Sequence, residues 1–298
     1  MTAEFVKYEA LGNDYVIVDT TVADLPATGA VAQLLSDRHF GVGADGVIFG
    51  PYFDEGAPDD GIGLRVFNPD GGECPGSGNG LGIFAHHIRE QGYVRGDRFT
   101  LRAAAGPVEV RVVDLAEAVV EVTLGSATTL SDAIPATGPS RELVRESLTV
   151  DGRAVEITCV SLGTPHCVVF EPGAGRRHAE RWGPLIGRHP MFPEKTNVEF
   201  VNVIDRANIS IEVWERGAGY TLASGAGACA AATAARILGL VDQEVAVRMP
   251  GGEVHVSVRP GNVVVLRGGV RKVIQGAFAE GFRARALAAA TATEEGGS

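Results

Sequence analysis

The chain repeats one short pattern, and this repeat constrains its fold more than any other feature. Ser77-Gly78-Asn79-Gly80 leads into the apolar run LGIFAHHI, and Ser224-Gly225-Ala226-Gly227 leads into ACAAATAARILGL. In each copy, a serine and a glycine-rich turn precede a segment apolar enough for a buried helix. The start of such a helix presents unpaired backbone N–H groups and the positive end of the helix dipole, which favour an anion such as a carboxylate. The repeat therefore predicts two similar, facing halves.

Length and charge agree with this organisation. The chain has 298 residues, 45% of them hydrophobic, which is enough for about two domains of ~150 residues. We expect an N-terminal lobe over 1–125, completed by 272–298, and a C-terminal lobe over 126–271. The net charge is −11, and no Lys/Arg cluster with interleaved aromatic residues is present, so nucleic acid is not expected as a partner.

Targeting and cofactor signals are missing from the sequence. The N-terminus, MTAEFVKYEALGND, lacks the apolar core of a signal peptide, and no run of ~18 apolar residues could span a bilayer. We therefore expect a cytoplasmic protein without a membrane partner. The four cysteines (Cys74, Cys159, Cys167 and Cys229) form no CxxC pair and are interpreted as reduced, mostly buried thiols. No metal-ligand cluster and no lysine setting for pyridoxal phosphate is evident, so we expect no cofactor.

The hydrophobic pattern predicts a strand-rich α/β fold. Short alternating or β-branched runs bounded by Gly, Pro, Asn or Asp predict strands: FVKYEAL, YVIVDT, GVIFG, LRVFN, PVEVRVV, AVVEVTL, AVEITCVSL, CVVFE, NVEFVNVI, ISIEVWE, VAVRMP, EVHVSVR and NVVVLRGG. Helical periodicity appears in AVAQLLSDRH, in RRHAERWGPLIGRH and after the two serine motifs. The last two helices are apolar nearly all round, which predicts central helices wrapped by sheet, with their starts meeting at a cleft. The Ala-rich tail from Arg283 is expected to fray.

Seven segments of the chain resemble the successive motifs of the diaminopimelate epimerase family. They occur in order and without a gap inside any motif: LGNDYVIVD, RHFGVGADGVIFG, VFNPDGGE, SGNG, TPHCVVF, TNVEFV and ERGAGYTLASGAGACAAA. The resemblance implies a cofactor-independent enzyme of two pseudo-symmetric lobes with its active site in the cleft between them. In that family a pair of cysteines removes and returns the α-proton of an amino acid on opposite faces.

At both cysteine positions this chain has serine, namely Ser77 and Ser224. A thiol with a reference pKa near ~8.5 is readily tuned to thiolate at a helix start, whereas a serine alkoxide is much harder to reach. A serine pair therefore needs a neighbour that activates the hydroxyl. Three explanations remain open: a natural relative with a different substrate or reaction, an inert relative, or deliberate Cys→Ser changes. The divergent run ECPGSGNGLGIF favours the first.

The resemblance also implies which residues bind the substrate. The carboxylate at the reacting carbon is expected on Gly78, Asn79, Gly225 and Ala226, with Asn13 beside them. The far end is expected on Asn68, Asn197 and Arg216 for a carboxylate and on Glu215 for an ammonium, because each head then meets an opposite charge. Thr164 stands where the family usually has Asn, which puts diaminopimelate itself in question but leaves an amino acid with a polar far end.

Other constellations carry weaker predictions. Gly41, Gly43 and Gly46 fit G-x-G-x-x-G, yet the motif runs into a strand-like segment, so nucleotide binding is not expected. His86 and His87 are adjacent and lack the spacing of metal ligands. His166 is interpreted as a core or supporting residue in preference to a proton relay.

The sequence predicts an isomerase, an epimerase or racemase acting at the α-carbon of an amino acid, with Ser77 and Ser224 as the two acid/base residues. Two alternatives stay open: a dehydratase or double-bond isomerase on a related amino acid, and a non-catalytic amino-acid-binding relative. A homodimer and a place in lysine supply are compatible with the sequence.

Overall fold

The computed structural model describes residues 4–53 and 61–295, and the chain divides into two compact units. Unit 1 comprises Met1–Val122 together with Gly269–Ser298, and unit 2 comprises Thr123–Gly268. Unit 2 is thus one continuous stretch of chain, whereas unit 1 is assembled from both ends of the sequence.

Five α-helices lie in the described residues: α1 (Gly29–Ser36), α2 (Gly78–Glu90), α3 (Arg176–Gly187), α4 (Gly225–Ile237) and α5 (Glu280–Glu295). The strands described are β1 (Phe5–Ala10), β2 (Asn13–Asp19), β3 (Gly46–Tyr52), β4 (Ile62–Phe67), β5 (Glu73–Cys74), β6 (Arg98–Ala103), β7 (Gly106–Asp114), β8 (Val119–Ser126), β9 (Glu146–Val150), β10 (Arg153–Ser161), β11 (Pro165–Phe170), β12 (Asn197–Asp205), β13 (Asn208–Glu215), β14 (Gly219–Thr221), β15 (Glu244–Met249), β16 (Gly252–Arg259), β17 (Val263–Gly269) and β18 (Arg271–Gly276).

The strand pairings of the two units follow one pattern. In unit 1 the neighbours run β18-β1-β2-β3-β4-β6-β7-β8, with parallel pairs only at β2/β3 and β4/β6. In unit 2 they run β9-β10-β11-β12-β13-β15-β16-β17, with parallel pairs only at β11/β12 and β13/β15. The parallel pairs fall at the same two places in each order, so the predicted pair of similar α/β lobes is confirmed.

Each unit is built around the helix that follows its serine motif. In α2 every residue from Gly80 to Ile88 is buried, and in α4 every residue from Gly227 to Ala235 is buried. A helix buried on all faces must be apolar all round, as both sequences are. The prediction of two central helices is therefore confirmed.

The prediction that the tail frays from Arg283 is wrong. Residues Glu280–Glu295 form α5, and Ala286 and Ala290 are buried in the same hydrophobic cluster as Val31 and Leu35 of α1. The two alanines are four residues apart and therefore lie on one helix face, where their small side chains allow close packing. Tertiary contact with α1 explains the order that the Ala-rich tail sequence alone did not suggest.

Candidate functional site

Ser77 is the N-cap of α2. Its backbone is extended, and its Oγ accepts a hydrogen bond from the N–H of Gly80 at 3.3 Å. Serine is a favoured N-cap because its hydroxyl satisfies one of the orphan N–H groups of the first turn. The N–H groups of Gly78 and Asn79 have no acceptor within the helix, since only later residues can donate to a carbonyl four residues back.

Ser224 caps α4 in the same way. Its Oγ accepts from the N–H of Gly227 at 3.2 Å, and its own backbone N–H donates to the sulfur of Met249 at 3.4 Å. Both serines are half-buried, and the first turn of α4 begins with Gly225 and Ala226. The two motifs that are alike in sequence therefore form helix starts that are alike in geometry.

A chain of polar side chains leads away from the start of α2. The amide of Asn79 donates to Asn13 Oδ1 at 3.3 Å, and the amide of Asn13 donates to Asp45 Oδ2, also at 3.3 Å. Asp45 in turn forms an ion pair with Arg38 at 2.7 Å. These contacts fix the amides of Asn13 and Asn79 beside the helix start, where amide groups can bind a carboxylate.

Asp14 binds Asp45 and Arg38, two residues of this chain of polar contacts. Its N–H donates to Asp45, and the N–H of Asp45 donates back to Asp14 at 2.8 Å. Burial favours the neutral carboxyl, but hydrogen bonds from Arg38 and Lys7 lower the pKa of Asp14 to about 2. Asp14 is therefore ionised at neutral pH and holds both cations in place.

Asn68 lies at the end of β4, and its side chain is exposed. Its N–H donates to the carbonyl of Gly72, and its carbonyl accepts from the N–H of Gly71. These two bonds close a tight turn that leaves the side-chain amide accessible. The geometry permits a binding role without requiring one.

In unit 2 the amide of Asn197 joins two segments. Asn197 donates to the carbonyl of Pro165 at 3.1 Å and accepts from the backbone N–H of Arg216 at 2.8 Å. The Arg216 guanidinium donates to the carbonyl of Glu194 at 3.1 Å but its side chain is exposed. Asn197 thus supports Arg216 through the main chain, and the guanidinium keeps donors for a further anion.

Glu215, next to Arg216, is half-buried. Its Oε1 accepts a hydrogen bond from the hydroxyl of Thr221 at 2.7 Å. The predicted Glu-Arg pair therefore lies at one end of β13, with a carboxylate and a guanidinium on consecutive residues. Such a pair can bind a zwitterionic group, each head meeting its opposite charge.

Thr164, His166 and Glu199 form a line of hydrogen bonds from the surface into the core of unit 2. Thr164 is exposed, and its Oγ1 lies 3.0 Å from His166 Nε2. On the other side of the ring, His166 Nδ1 lies 2.7 Å from Glu199 Oε1, and both side chains are buried. The arrangement is a hydroxyl, an imidazole and a carboxylate in series.

Glu199 also approaches the start of α4. An added Cβ at Gly227 would lie 2.9 Å from Glu199 Oε1 and 3.2 Å from Ser224 Oγ. Because Gly227 has no side chain, the Glu199 carboxylate can come this close to Ser224. Burial raises the pKa of Glu199, the nearby charge of Glu215 adds to this, and His166 opposes it.

The weaker sequence patterns lie at the start of a strand and inside a buried helix. Gly46 begins strand β3 instead of a helix, unlike a dinucleotide-binding turn. His86 and His87 are buried in α2, and burial lowers the pKa of His87 to about 4. The described residues contain no group of three or more His, Cys, Asp or Glu side chains suited to a metal, and no helix among them is long and apolar enough to cross a membrane.

Comparisons with known proteins point to one family. The family model described as diaminopimelate epimerase matches residues 5–130 and 158–273. Diaminopimelate epimerase 2 of Nostoc sp. is 38% identical over 273 residues, covering 92% of this chain and 94% of that protein. The diaminopimelate epimerase of Moorella thermoacetica is 35% identical over 278 residues, covering 92% of this chain and 98% of that protein.

A solved structure shares the fold at much lower identity. A hydroxyproline epimerase from Agrobacterium vitis matches with a TM-score of 0.63 at 14% identity, covering 91% of this chain and 90% of that one. The doubled fold and these relatives define an isomerase of the epimerase and racemase class. The chain belongs to the diaminopimelate epimerase family.

Sequence reasoning passed over Glu199. Within the run NVEFVNVI it looks like a polar residue on the solvent side of an alternating strand. The structure instead buries four consecutive residues of β12, Val198 to Val201, so the strand is covered on both faces. The signal in the sequence is that Glu199 lies three residues after Thr196 in a mostly apolar run. This signal is too weak to distinguish a buried acid from a solvent-facing one.

Proposed function

We propose that this chain epimerises or racemises an amino acid at its α-carbon without a cofactor, with Ser77 and Ser224 at the two opposed acid/base positions. The observation that carries the proposal is the matching geometry of the two serines. Each caps a central helix that is buried over nine consecutive residues, and each accepts from the N–H three residues later, at 3.3 and 3.2 Å. Two equivalent hydroxyls suit a reaction that removes a proton on one face and returns one on the other.

The proposal places the substrate's reacting carboxylate at the two helix starts. The N–H groups of Gly78 and Asn79, and of Gly225 and Ala226, are the first donors of α2 and α4. Helix starts stabilise anions through these donors and through the helix dipole. A carboxylate held there also withdraws electron density from the α-carbon, which favours loss of its proton.

The far end of the substrate is assigned to a polar group, with diaminopimelate as the first candidate. Support comes from the exposed Arg216, the adjacent Glu215 and the exposed Asn68, while Asn197 holds the backbone of Arg216 in place. Thr164 completes this set. Two relatives that cover nearly the whole chain are named diaminopimelate epimerases, and with that substrate the pathway would be lysine biosynthesis.

Proton exchange in deuterated water tests the function directly. The protein is incubated with L,L-diaminopimelate and a panel of related amino acids, and the α-proton signals and product configuration are followed by NMR. We expect loss of the α-proton together with inversion. Ser77→Ala and Ser224→Ala should each lower the rate of inversion by at least ~100-fold, whereas the matched control Ser140→Ala, at an exposed serine, should not.

The outcomes separate the remaining functions. Exchange with loss of water or with migration of a double bond would identify a dehydratase or a double-bond isomerase. No exchange on any compound, alongside thermal stabilisation by one of them, would identify a binding protein. If the Ser77→Cys, Ser224→Cys double variant also turned over nothing and bound nothing, the assignment of the distal residues would be wrong.

We also propose a cytoplasmic homodimer. The four cysteines are free, which is typical of a reducing compartment. On β18, Val273 and Ile274 each expose more than half of their surface, and an exposed strand with two apolar side chains can pair with a second copy. Light scattering should give the mass of a dimer, and Val273→Lys should convert it to a monomer; a monomeric wild type would refute this part.

A further inference from the structure

One buried acid in unit 2 lacks a full set of partners. Glu199 is fully buried, and no described residue hydrogen-bonds its Oε2 atom. An unsatisfied carboxylate oxygen in the interior costs free energy that a structural residue would not retain. Buried ionisable groups of this kind cluster at functional sites.

The position of Glu199 connects this acid to a predicted acid/base residue. Glu199 Oε1 and Ser224 Oγ both lie within 3.2 Å of one point, the site where a side chain of Gly227 would begin. The two oxygens are therefore at most about 6 Å apart, a span that one water can bridge with two hydrogen bonds. Serine needs such a neighbour, because its hydroxyl alone is a weak base and a weak acid.

The other side of Glu199 leads to solvent. His166 Nδ1 lies 2.7 Å from Glu199 Oε1, and His166 Nε2 lies 3.0 Å from the exposed Thr164 hydroxyl. An ionised carboxylate only accepts hydrogen bonds, so it fixes the proton of a neutral ring on Nδ1 and leaves Nε2 as the acceptor for Thr164. Each link lies within hydrogen-bond distance.

We propose that Glu199 is the base that activates Ser224, and that His166 and Thr164 connect Glu199 to solvent. This inference rests on the proposed function. It adds the base that accepts the hydroxyl proton of Ser224, which a serine needs in order to act where the family has a cysteine. Glu199 acts through Ser224 and is therefore a positioning residue, whereas Ser224 meets the substrate.

The proton movements balance. Glu199 takes the hydroxyl proton of Ser224 over one water as Ser224 Oγ takes the α-proton, and the electron pair of the C–H bond stays on the α-carbon. In the reverse direction Glu199 returns its proton to Ser224 Oγ as the hydroxyl proton of Ser224 passes to the carbon. Solvent protons reach the ionised Glu199 when the Nδ1 proton of His166 passes to the carboxylate and Nε2 takes the Thr164 hydroxyl proton, which water replaces. The same steps run backwards release a proton from Glu199 when the ring carries its own proton on Nε2.

Several ionisable groups face this pair. His166 and Cys167 lie on β11, and Glu215 lies on β13. The neighbouring thiol of Cys159, together with burial, raises the pKa of the Cys167 thiol well above neutrality. This thiol stays neutral at the pH of the assay, so it does not contribute to the pH profile.

Glu199→Gln tests the base. The amide keeps the shape of the side chain but cannot take a proton, so α-proton exchange should fall by at least ~100-fold and the acidic limb of the pH profile should disappear. Glu199→Asp should restore part of the rate. The matched control Glu156→Gln removes an exposed carboxylate of the same unit and should leave exchange unchanged. Exchange at the wild-type rate in folded Glu199→Gln would overturn the proposal.

Thr164→Val tests the path to solvent without altering the core, because Thr164 is exposed. With the hydroxyl removed, the captured proton should return to the substrate instead of exchanging. Wash-out in deuterated water should then slow relative to inversion, and Thr164→Ser should restore the ratio. An unchanged ratio in Thr164→Val would refute the path through Thr164.

Infrared spectroscopy separates this inference from the proposed function, because it needs no substrate. The carboxylate band of Glu199, identified by its loss in Glu199→Gln, should shift in Ser224→Ala if the Ser224 hydroxyl is coupled to the carboxylate. A band unaffected by Ser224→Ala would overturn the inference even in an active enzyme. A shifted band in a protein that exchanges no α-proton would instead refute the proposed function and keep the pairing of Glu199 with Ser224.

Discussion

Replacing the second glycine of each serine motif, Gly80 or Gly227, with alanine should have opposite effects in the two units. Gly80 and Gly227 each donate the N–H that caps their helix. An added Cβ at Gly80 would meet Ser77 and Tyr15 at 3.5 Å, an ordinary contact. The same atom at Gly227 would lie 2.9 Å from Glu199 Oε1, which forces the carboxylate to move.

The magnitudes follow from these distances. Alanine is up to about 1 kcal/mol more favourable than glycine in a helix, so Gly80→Ala should stabilise unit 1 by up to that amount. In Gly227→Ala, Glu199 must retreat by roughly 0.5 Å to reach a normal contact. Its 2.7 Å bond to His166 then weakens, and losing a hydrogen bond to a charged group costs about 1.5–3 kcal/mol. With the gain from alanine subtracted, the net loss should be about 0.5–2 kcal/mol.

Tryptophan fluorescence in a urea titration isolates the decisive variant. Both tryptophans of the chain, Trp182 and Trp214, lie in unit 2. Gly227→Ala should therefore lower the midpoint of the fluorescence transition, while Gly80→Ala should leave that midpoint unchanged and raise the midpoint of any circular dichroism transition assigned to unit 1. A fluorescence midpoint in Gly227→Ala equal to or above that of the wild type would refute the close approach of Glu199 to α4.

Three further predictions concern thiols and pH. One thiol per chain, Cys74, should react with a thiol reagent under native conditions and four after unfolding, because the other three cysteines are buried. Burial lowers the pKa of His87 to about 4, from an ordinary 6.5, so the unfolded chain takes up a proton at a higher pH than the folded protein does. The free energy of unfolding should therefore fall as the pH drops from 6.5 to 4, and it should fall less in His87→Phe. Urea titrations across that pH range measure both changes. The pKa of Asp14 is about 2 in the folded protein, below its ordinary 3.8. The ionised carboxylate therefore stabilises the fold above pH 3.8, and this contribution is lost as the pH falls towards 2. Removing its partner in Lys7→Met should move the midpoint of acid unfolding to higher pH.

The sequence predicted the two central helices and most strands because both leave strong local signals. A serine, a glycine-rich turn and a long apolar run specify α2 and α4 almost without tertiary information. Five strands were missed: β5, β6, β9, β14 and β18. Strands β5 and β14 have only two and three residues, and charges break the apolar pattern of β6 and β18, as in Arg271-Lys272 of β18. Such strands form through pairing with a neighbour, for example β18 with β1, and not through their own propensity.

The site divides in the same way. The helix starts follow from local sequence, so Ser77 and Ser224 could be singled out and their capping geometry anticipated. The arrangement of Thr164, His166 and Glu199 depends on the register that places His166 opposite Asn197 and Val168 opposite Glu199 across β11 and β12. No local pattern encodes that register, and the roles of the site residues stay predictions until the variants are measured.

The assembly of unit 1 from both chain ends affects how the protein is made. Strand β1 can pair with β18, as in Phe5↔Gly276, only after β18 has been synthesised. In the same way, α1 can pack against α5 only after the C-terminal end of the chain has been made. During synthesis, unit 2 emerges whole while unit 1 still lacks its last strand and its last helix. A nascent chain that has emerged as far as residue 268 therefore has all of unit 2 but an incomplete unit 1. In this incomplete unit, the edge of β1 that pairs with β18 is exposed to chaperones and proteases. Loss of a short C-terminal segment should damage the half of the molecule that was translated first.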